Sequence, residues 1–126
     1  MGWYVMALVD VLDYMPKNHP SRSILIQQLN QLSTAIAKIQ DPTSGVWYQL
    51  PGYPGKKGNY FEASASNMFV YAFAKGVRKG YLPASLRKNA EKGYAGILKE
   101  FVTKDAAGYL HLEKTVTVGG LGGVPY

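Results

Sequence analysis

From Ala63 to Val77 nearly every residue is small, apolar or aromatic, and no polar face can be drawn on the stretch. A helix that is apolar all round is covered on every side. Gly58 and Asn59 punctuate the start and Gly80 the end, so Gly58–Tyr81 reads as one buried helix. A chain with such a helix must build an outer layer around it. The first turn nevertheless carries Tyr60, Glu62, Ser64 and Ser66. Polar groups at the mouth of a buried helix are either caps or the floor of a site, and the sequence leaves both open.

The remaining segments supply that layer in a pattern that occurs twice. Gly2–Tyr14 is a helix whose Trp3, Val5, Met6, Leu8, Val9, Val11 and Leu12 cover most of its circumference, so it too is expected to be buried. Pro16 and Pro20 break the chain, and Ser21 stands where an N-cap is wanted. The helix that follows, Arg22–Ile39, carries one apolar stripe of Leu25, Leu29, Leu32, Ile36 and Ile39. An Asp41–Gly45 turn and an extended piece, Val46–Leu50, come next, then a Pro- and Gly-rich loop, 51–58.

After the central helix, Pro83 opens a fourth helix. Leu86, Ala90, Tyr94, Ile97 and Phe101 form its stripe, and Lys88, Lys92 and Lys99 lie outside it. An Asp105–Gly108 turn, a weakly alternating piece Tyr109–Val118 that reads as a strand or an extended edge, and a glycine-rich loop, Gly119–Gly123, complete the chain.

This alternation is a repeat: buried helix, half-wet helix, Asp-to-Gly turn, extended aromatic piece. It implies an all-α chain of two inner/outer hairpins in two concentric layers. Two hairpins cannot close a ring, and open apolar flanks need covering. The expectation is that the chain is an excerpt of a larger toroid, or completes its layer with another copy of itself.

The 126 residues suit a single domain, 1–126, with no cysteine for disulfide or thiolate chemistry. Net charge is +6, but the lysines and arginines scatter over loops and polar helix faces. That describes a solvated surface and no nucleic-acid partner. No run approaches a membrane span. The apolar start lacks a basic flank and is broken by Asp10 and Asp13, so no targeting signal is read and the expected location is cytoplasmic. His19 and His111 have no His or Cys at ligand spacing, which argues for no metal and no cofactor. The Gly119–Gly123 cluster fits neither a dinucleotide nor a P-loop pattern.

Five blocks together resemble consecutive segments of one family: Gly2-Trp3-Tyr4-Val5-Met6-Ala7-Leu8-Val9-Asp10, Thr43-Ser-Gly-Val-Trp-Tyr-Gln49, Gly58-Asn-Tyr-Phe-Glu-Ala-Ser-Ala-Ser-Asn-Met68, Ala74-Lys-Gly-Val-Arg-Lys-Gly-Tyr81 and Gly119-Gly-Leu-Gly-Gly-Val-Pro-Tyr126. The family is the bacterial unsaturated glucuronyl and rhamnogalacturonyl hydrolases, glycoside hydrolase families 105 and 88. The resemblance implies an (α/α)6 toroid, of which this chain would be a partial domain from the C-terminal half.

It also implies a reaction on the unsaturated uronic acid that polysaccharide lyases leave, as in pectin degradation. An aspartate protonates the enol-ether double bond, water adds, the hemiketal opens and the aglycone leaves, with one acid/base group and no paired-carboxylate displacement. In the family that aspartate and a Trp-Ala-Arg block precede the segment matched here. The chain alone is therefore expected to lack catalytic residues.

The resemblance makes Trp3, the tryptophan that closes the missing block, a sugar contact. A core aromatic at a helix mouth is the competing reading. Trp47 is a candidate stacking platform, against a loop tryptophan packed down on helices. Tyr60, Glu62 and Ser64 sit where the family's inner helix opens into the cleft, against simple capping of that helix. Asp10 and Asp13 are read as structural. The expected ligand is an unsaturated uronyl oligosaccharide, and the expected protein partner is another copy or the remainder of a toroid.

Overall fold

The computed structural model describes residues 1–117; Val118 and the Gly119–Gly123 loop lie outside them. Four α-helices dominate: α1 (Gly2–Tyr14), α2 (Arg22–Lys38), α3 (Ala63–Arg78) and α4 (Arg87–Glu100). A 3-10 turn, Ala84–Leu86, leads into α4, and two short strands follow, β1 (Val102–Lys104) and β2 (Leu110–Leu112). No described helix is long and apolar enough to cross a membrane.

The first hairpin is fastened at its turn. Pro16 and Pro20 end one helix and delay the next. Arg22 then donates to the free carbonyls of Leu12 (2.7 Å) and Met15 (2.8 Å) at the end of α1. Further along, Tyr4 donates to Gln28, so α2 runs antiparallel to α1. Ser21 does occupy the N-cap position, but its side chain makes no capping bond. The second hairpin closes at Gly80, which adopts φ +74°. The amides of Tyr81 and Leu82 both return to the Gly76 carbonyl, at 2.8 and 3.1 Å. This is the left-handed helix ending that glycine permits. Asn30 on α2 donates to the Tyr81 carbonyl and ties the two hairpins together.

The two inner helices run parallel. Gly2 faces Met68, Asp10 meets Tyr71 and Lys75, and Asp13 meets Lys75 and Lys79, in the same order along both helices. Between the layers sits a core of Val5, Leu8, Val9, Leu12, Leu29, Ile36, Trp47, Phe69, Phe73, Ile97 and Phe101. The Trp47 ring meets Phe69 and Phe73 edge-on, at centroid distances of 5.2 and 6.1 Å. α4 approaches α3 closely at Gly93, where a Cβ would lie 2.5 Å from Val70 Cγ2.

Three expectations need correcting. α1 is not covered on all sides: Trp3, Tyr4, Val11 and Tyr14 are exposed, because α2 and α3 occupy only two of its sides. α3 likewise leaves Tyr71 and Ala74 open. On α4, Tyr94 falls in the expected apolar stripe but is 58% exposed. The extended piece after Tyr109 does form a strand, Leu110–Leu112, which pairs antiparallel with Val102–Lys104, a strand the sequence pattern had hidden at the end of α4. The Asp105–Gly108 turn joins them, with Asp105 accepting the Tyr109 amide and Gly108 at φ +93°. Its counterpart at Asp41–Gly45 has the same design, with Asp41 accepting from Thr43 and Ser44.

Candidate functional site

Because α1 and α3 are parallel, their N-terminal turns open at one end of the molecule. Trp3 lies at that end of α1 and Tyr60, Glu62 and Ser64 at that end of α3, and the lack of a side chain at Gly2 lets α1 close onto Met68, one turn further along α3 than Ser64. Trp3 is 74% exposed and Tyr60 38% exposed, while Ser64 is half-buried. Asn59 fixes the approach to Tyr60. Its side chain accepts from the Leu50 and Tyr60 amides and donates to the Leu50 and Tyr53 carbonyls. A single bridge, Tyr48 to Phe61, then lays the extended piece beside the start of α3.

Two of the five sequence candidates are not surface groups. Trp47 has no exposed surface, and its Nε1–H donates to the Ile36 carbonyl at 2.8 Å. A ring enclosed on both faces cannot stack on a sugar, so the packed-down reading holds for it. The reason is the bridge beside it, which draws the extended piece inward.

Glu62 is 1% exposed and is the N-cap of α3. Its carboxylate accepts from the Ser64 amide (2.9 Å), the Ser64 hydroxyl (2.8 Å), the Ala65 amide (2.7 Å) and the Val116 amide (3.1 Å). Burial alone would push its carboxyl up. The Ala65 and Ser64 donors and the Val116 amide outweigh that and hold it below the usual carboxylate range. Such a group stays ionised at neutral pH and has no proton to give.

The Val116 amide belongs to a strap that the sequence did not reveal. After β2 the chain crosses the start of α3, where the Ala63 amide donates to the Lys114 carbonyl at 3.1 Å. Lys114 takes φ +59° to make that crossing. Glycine usually marks such a backbone turn, and here none does.

The other acids of the inner layer lie lower down. Lys75 Nζ sits 2.7 Å from Asp10 and 2.8 Å from Asp13, with Lys79 3.4 Å from Asp13. Tyr71 donates to Asp10 and Tyr81 to Asp13. The hydrogen bond from Lys75 brings Asp13 down to about 2. Asp10 is held low as well, where the Lys75 and Tyr71 bonds overcome the opposing effect of its burial. Lys75 is correspondingly raised. This is a lock between the inner helices, far from the mouth, and it suits the structural reading of both aspartates. Among the described residues no three His, Asp or Glu side chains converge on a metal position.

The whole chain, residues 1–126, matches the sequence pattern of Glycosyl Hydrolase Family 88. The chain belongs to that family. A 24.9 kDa protein in the picA locus of Rhizobium radiobacter is 34% identical over 127 residues, 98% of this chain and 54% of its own length. Among solved structures, a family 105 glycoside hydrolase of C. acetobutylicum is 51% identical and superposes with a TM-score of 0.92. It covers 97% of this chain, which in turn spans 34% of that one. A possible family 105 member from Salmonella enterica gives 35% identity and a TM-score of 0.80, over 96% of this chain and 30% of that one. The chain thus spans about half the length of the curated relatives it matches and about a third of the solved ones. Its four helices form part of the helical toroid of this family.

Proposed function

We propose that this family 88 chain forms the aromatic side of a sugar cleft in an unsaturated uronyl hydrolase, of the rhamnogalacturonyl or glucuronyl kind. Its ligand is the unsaturated uronyl oligosaccharide that a polysaccharide lyase leaves, as in pectin breakdown. Trp3 stacks on the sugar, with Tyr60 and the Ser64 hydroxyl beside it. Alone, the chain binds this ligand without cleaving it.

The observation that carries the second half is the fate of the eight carboxylates. Hydration of the double bond needs an acid that protonates one alkene carbon while water attacks the other. The hemiketal so formed then opens and releases the aglycone. That acid must hold a proton at working pH and reach the sugar. Glu62, the carboxylate at the mouth, is buried, ionised and surrounded by its own donors. Asp10 and Asp13 are held by Lys75, Asp41 and Asp105 by their turns, Glu100 by Lys114, and Glu113 by Thr103. Glu91 lies in the groove between α3 and α4. The acid therefore comes from elsewhere in a complete cleft.

The test is a titration of the purified chain with an unsaturated uronyl disaccharide, followed by tryptophan fluorescence. A saturable change is expected that Trp3→Ala removes, while the ultraviolet absorbance of the sugar's double bond stays constant. Steady loss of that absorbance would overturn the non-catalytic reading. A flat titration would overturn the binding reading.

A further inference from the structure

We propose that the loop 50–59 is a second sugar subsite, whose Lys56 and Lys57 hold the carboxylate of a further uronic acid in the aglycone, so that the chain selects acidic oligosaccharides over neutral ones. The inference rests on the uronyl reading of the mouth and adds to it the class of aglycone.

The loop stands at the end of the molecule where α3 starts. The bridge between Tyr48 and Phe61, and the bond from the Gln49 amide to the Tyr60 carbonyl (2.8 Å), set its two arms side by side. What lies between them projects beside Tyr60. Lys57 is three residues from Tyr60, a backbone span of at most about 11 Å, and its side chain adds further reach. That range suits the aglycone of a sugar held at Tyr60.

The loop is fastened within itself. Turns run from the Tyr53 amide to the Leu50 carbonyl (3.0 Å), from Lys56 to Tyr53 (3.1 Å) and from Asn59 to Lys56 (3.0 Å). The Asn59 side chain adds bonds to Leu50 and Tyr53 at 2.7–3.0 Å, and Gly58 supplies a φ of +82°. Pro51 and Pro54 remove more freedom. Ordering a chain segment costs conformational entropy, and a lysine that served only solubility would need no such order. Here the order holds the side chains ready for a ligand.

What the loop displays is an aromatic ring with cations beside it. Tyr53 is 66% exposed, and Lys56 Nζ lies 5.8 Å from its ring centroid. From Pro42 to Phe61 the sequence holds no Asp or Glu. Among the described residues neither Lys56 nor Lys57 enters an ion pair. Two adjacent ammonium groups are not buried without counter-charge, so the loop keeps to the solvent edge whatever adjoins the chain. A carboxylate arriving there gains charge-assisted hydrogen bonds. A neutral aglycone meets only the tyrosine.

Calorimetric titration of the purified chain compares two probes. One is an unsaturated uronyl disaccharide with a neutral aglycone. The other is an unsaturated tetrasaccharide in which a uronic acid follows that neutral sugar. The tetrasaccharide is expected to bind about fivefold to tenfold more tightly at low salt, as two exposed ion pairs together allow, and to lose the advantage at about 0.5 M salt. Lys56→Gln with Lys57→Gln should bring the ratio to about one and leave the disaccharide unaffected. Lys56→Glu with Lys57→Glu should turn the preference round. A wild-type ratio near one, or an advantage that survives salt or the glutamine pair, overturns the loop subsite, and continued binding of the disaccharide then leaves the reading of the mouth standing. Flat titrations with both probes overturn both.

Discussion

Replacing Glu62 tests how the mouth of the inner layer is held. The carboxylate accepts three backbone amides and a hydroxyl, and joins the first turn of α3 to the strap at Val116. Glu62→Ala deletes an N-cap, which costs about 1–2 kcal/mol. It also strands the Val116 amide, whose desolvation adds about 1–2 kcal/mol if water does not enter. The sum is about 3 kcal/mol, or a fall in Tm of roughly 10 °C for a chain of this size. Glu62→Gln keeps the shape but turns one acceptor into a donor facing an amide, so about 2 kcal/mol is expected. The assay is thermal unfolding followed by circular dichroism at one fixed protein concentration, because association would shift Tm by mass action.

The pH dependence fixes the mechanism. The folded Glu62 carboxyl lies below its unfolded value. Its contribution is therefore complete above the unfolded value and disappears as pH falls through the folded one. The gap between wild type and Glu62→Gln should be widest near neutrality and shrink steadily in acid. Asp10, Asp13, Asp41 and Asp105 are also held low, but they titrate alike in both proteins and cancel in the difference. A Glu62→Gln protein that melts within a degree of wild type at pH 7 would refute the capping argument. A gap that persists undiminished into acid would refute the role given to charge.

Other substitutions separate surface from core. Trp3→Ala should leave stability within about 0.5 kcal/mol, while Trp47→Ala should cost about 3–5 kcal/mol; denaturant midpoints at constant slope compare the two. Gly93→Ala forces a methyl against Val70 Cγ2 and should cost about 1–3 kcal/mol, with Val70→Ala partly relieving it in a double-mutant cycle. Lys75→Met leaves Asp10 and Asp13 without their partner, and a loss of about 1 kcal/mol is expected for so partly exposed a cluster. The sign differs between its members. Asp13, at about 2 when folded, loses its contribution as pH falls from the ordinary carboxylate range toward that value. Lys75, raised, keeps its contribution below the ordinary lysine range and loses it only as pH climbs through the folded value.

Much of this architecture was legible because apolar periodicity records burial. The stripe at Leu29–Ile36 points inward as its spacing requires, as do Ala90 and Ile97 on α4, though Tyr94 between them turns out to solvent, and the two Asp-to-Gly turns close as their residues dictate. The site was less legible. Nothing local distinguishes Trp47 in the core from Trp3 in solvent; a bridge between Tyr48 and Phe61 decides it. The strap over Glu62 was hidden for the same reason, being held by contacts between residues far apart in sequence and turned at a lysine where glycine would have been the signal.

The misjudged burial of α1 is the most instructive case. An all-round apolar helix reports how many neighbours its sequence is suited to, which can exceed the number a single chain provides. α1 has neighbours on two sides, and the side left over carries Trp3, Tyr4, Val11 and Tyr14. Its excess of apolar surface is thus a measure of missing contact. One end of that stripe, Trp3, opens at the mouth where a sugar is proposed to bind, and the rest faces where the toroid of this family continues beyond the four helices described.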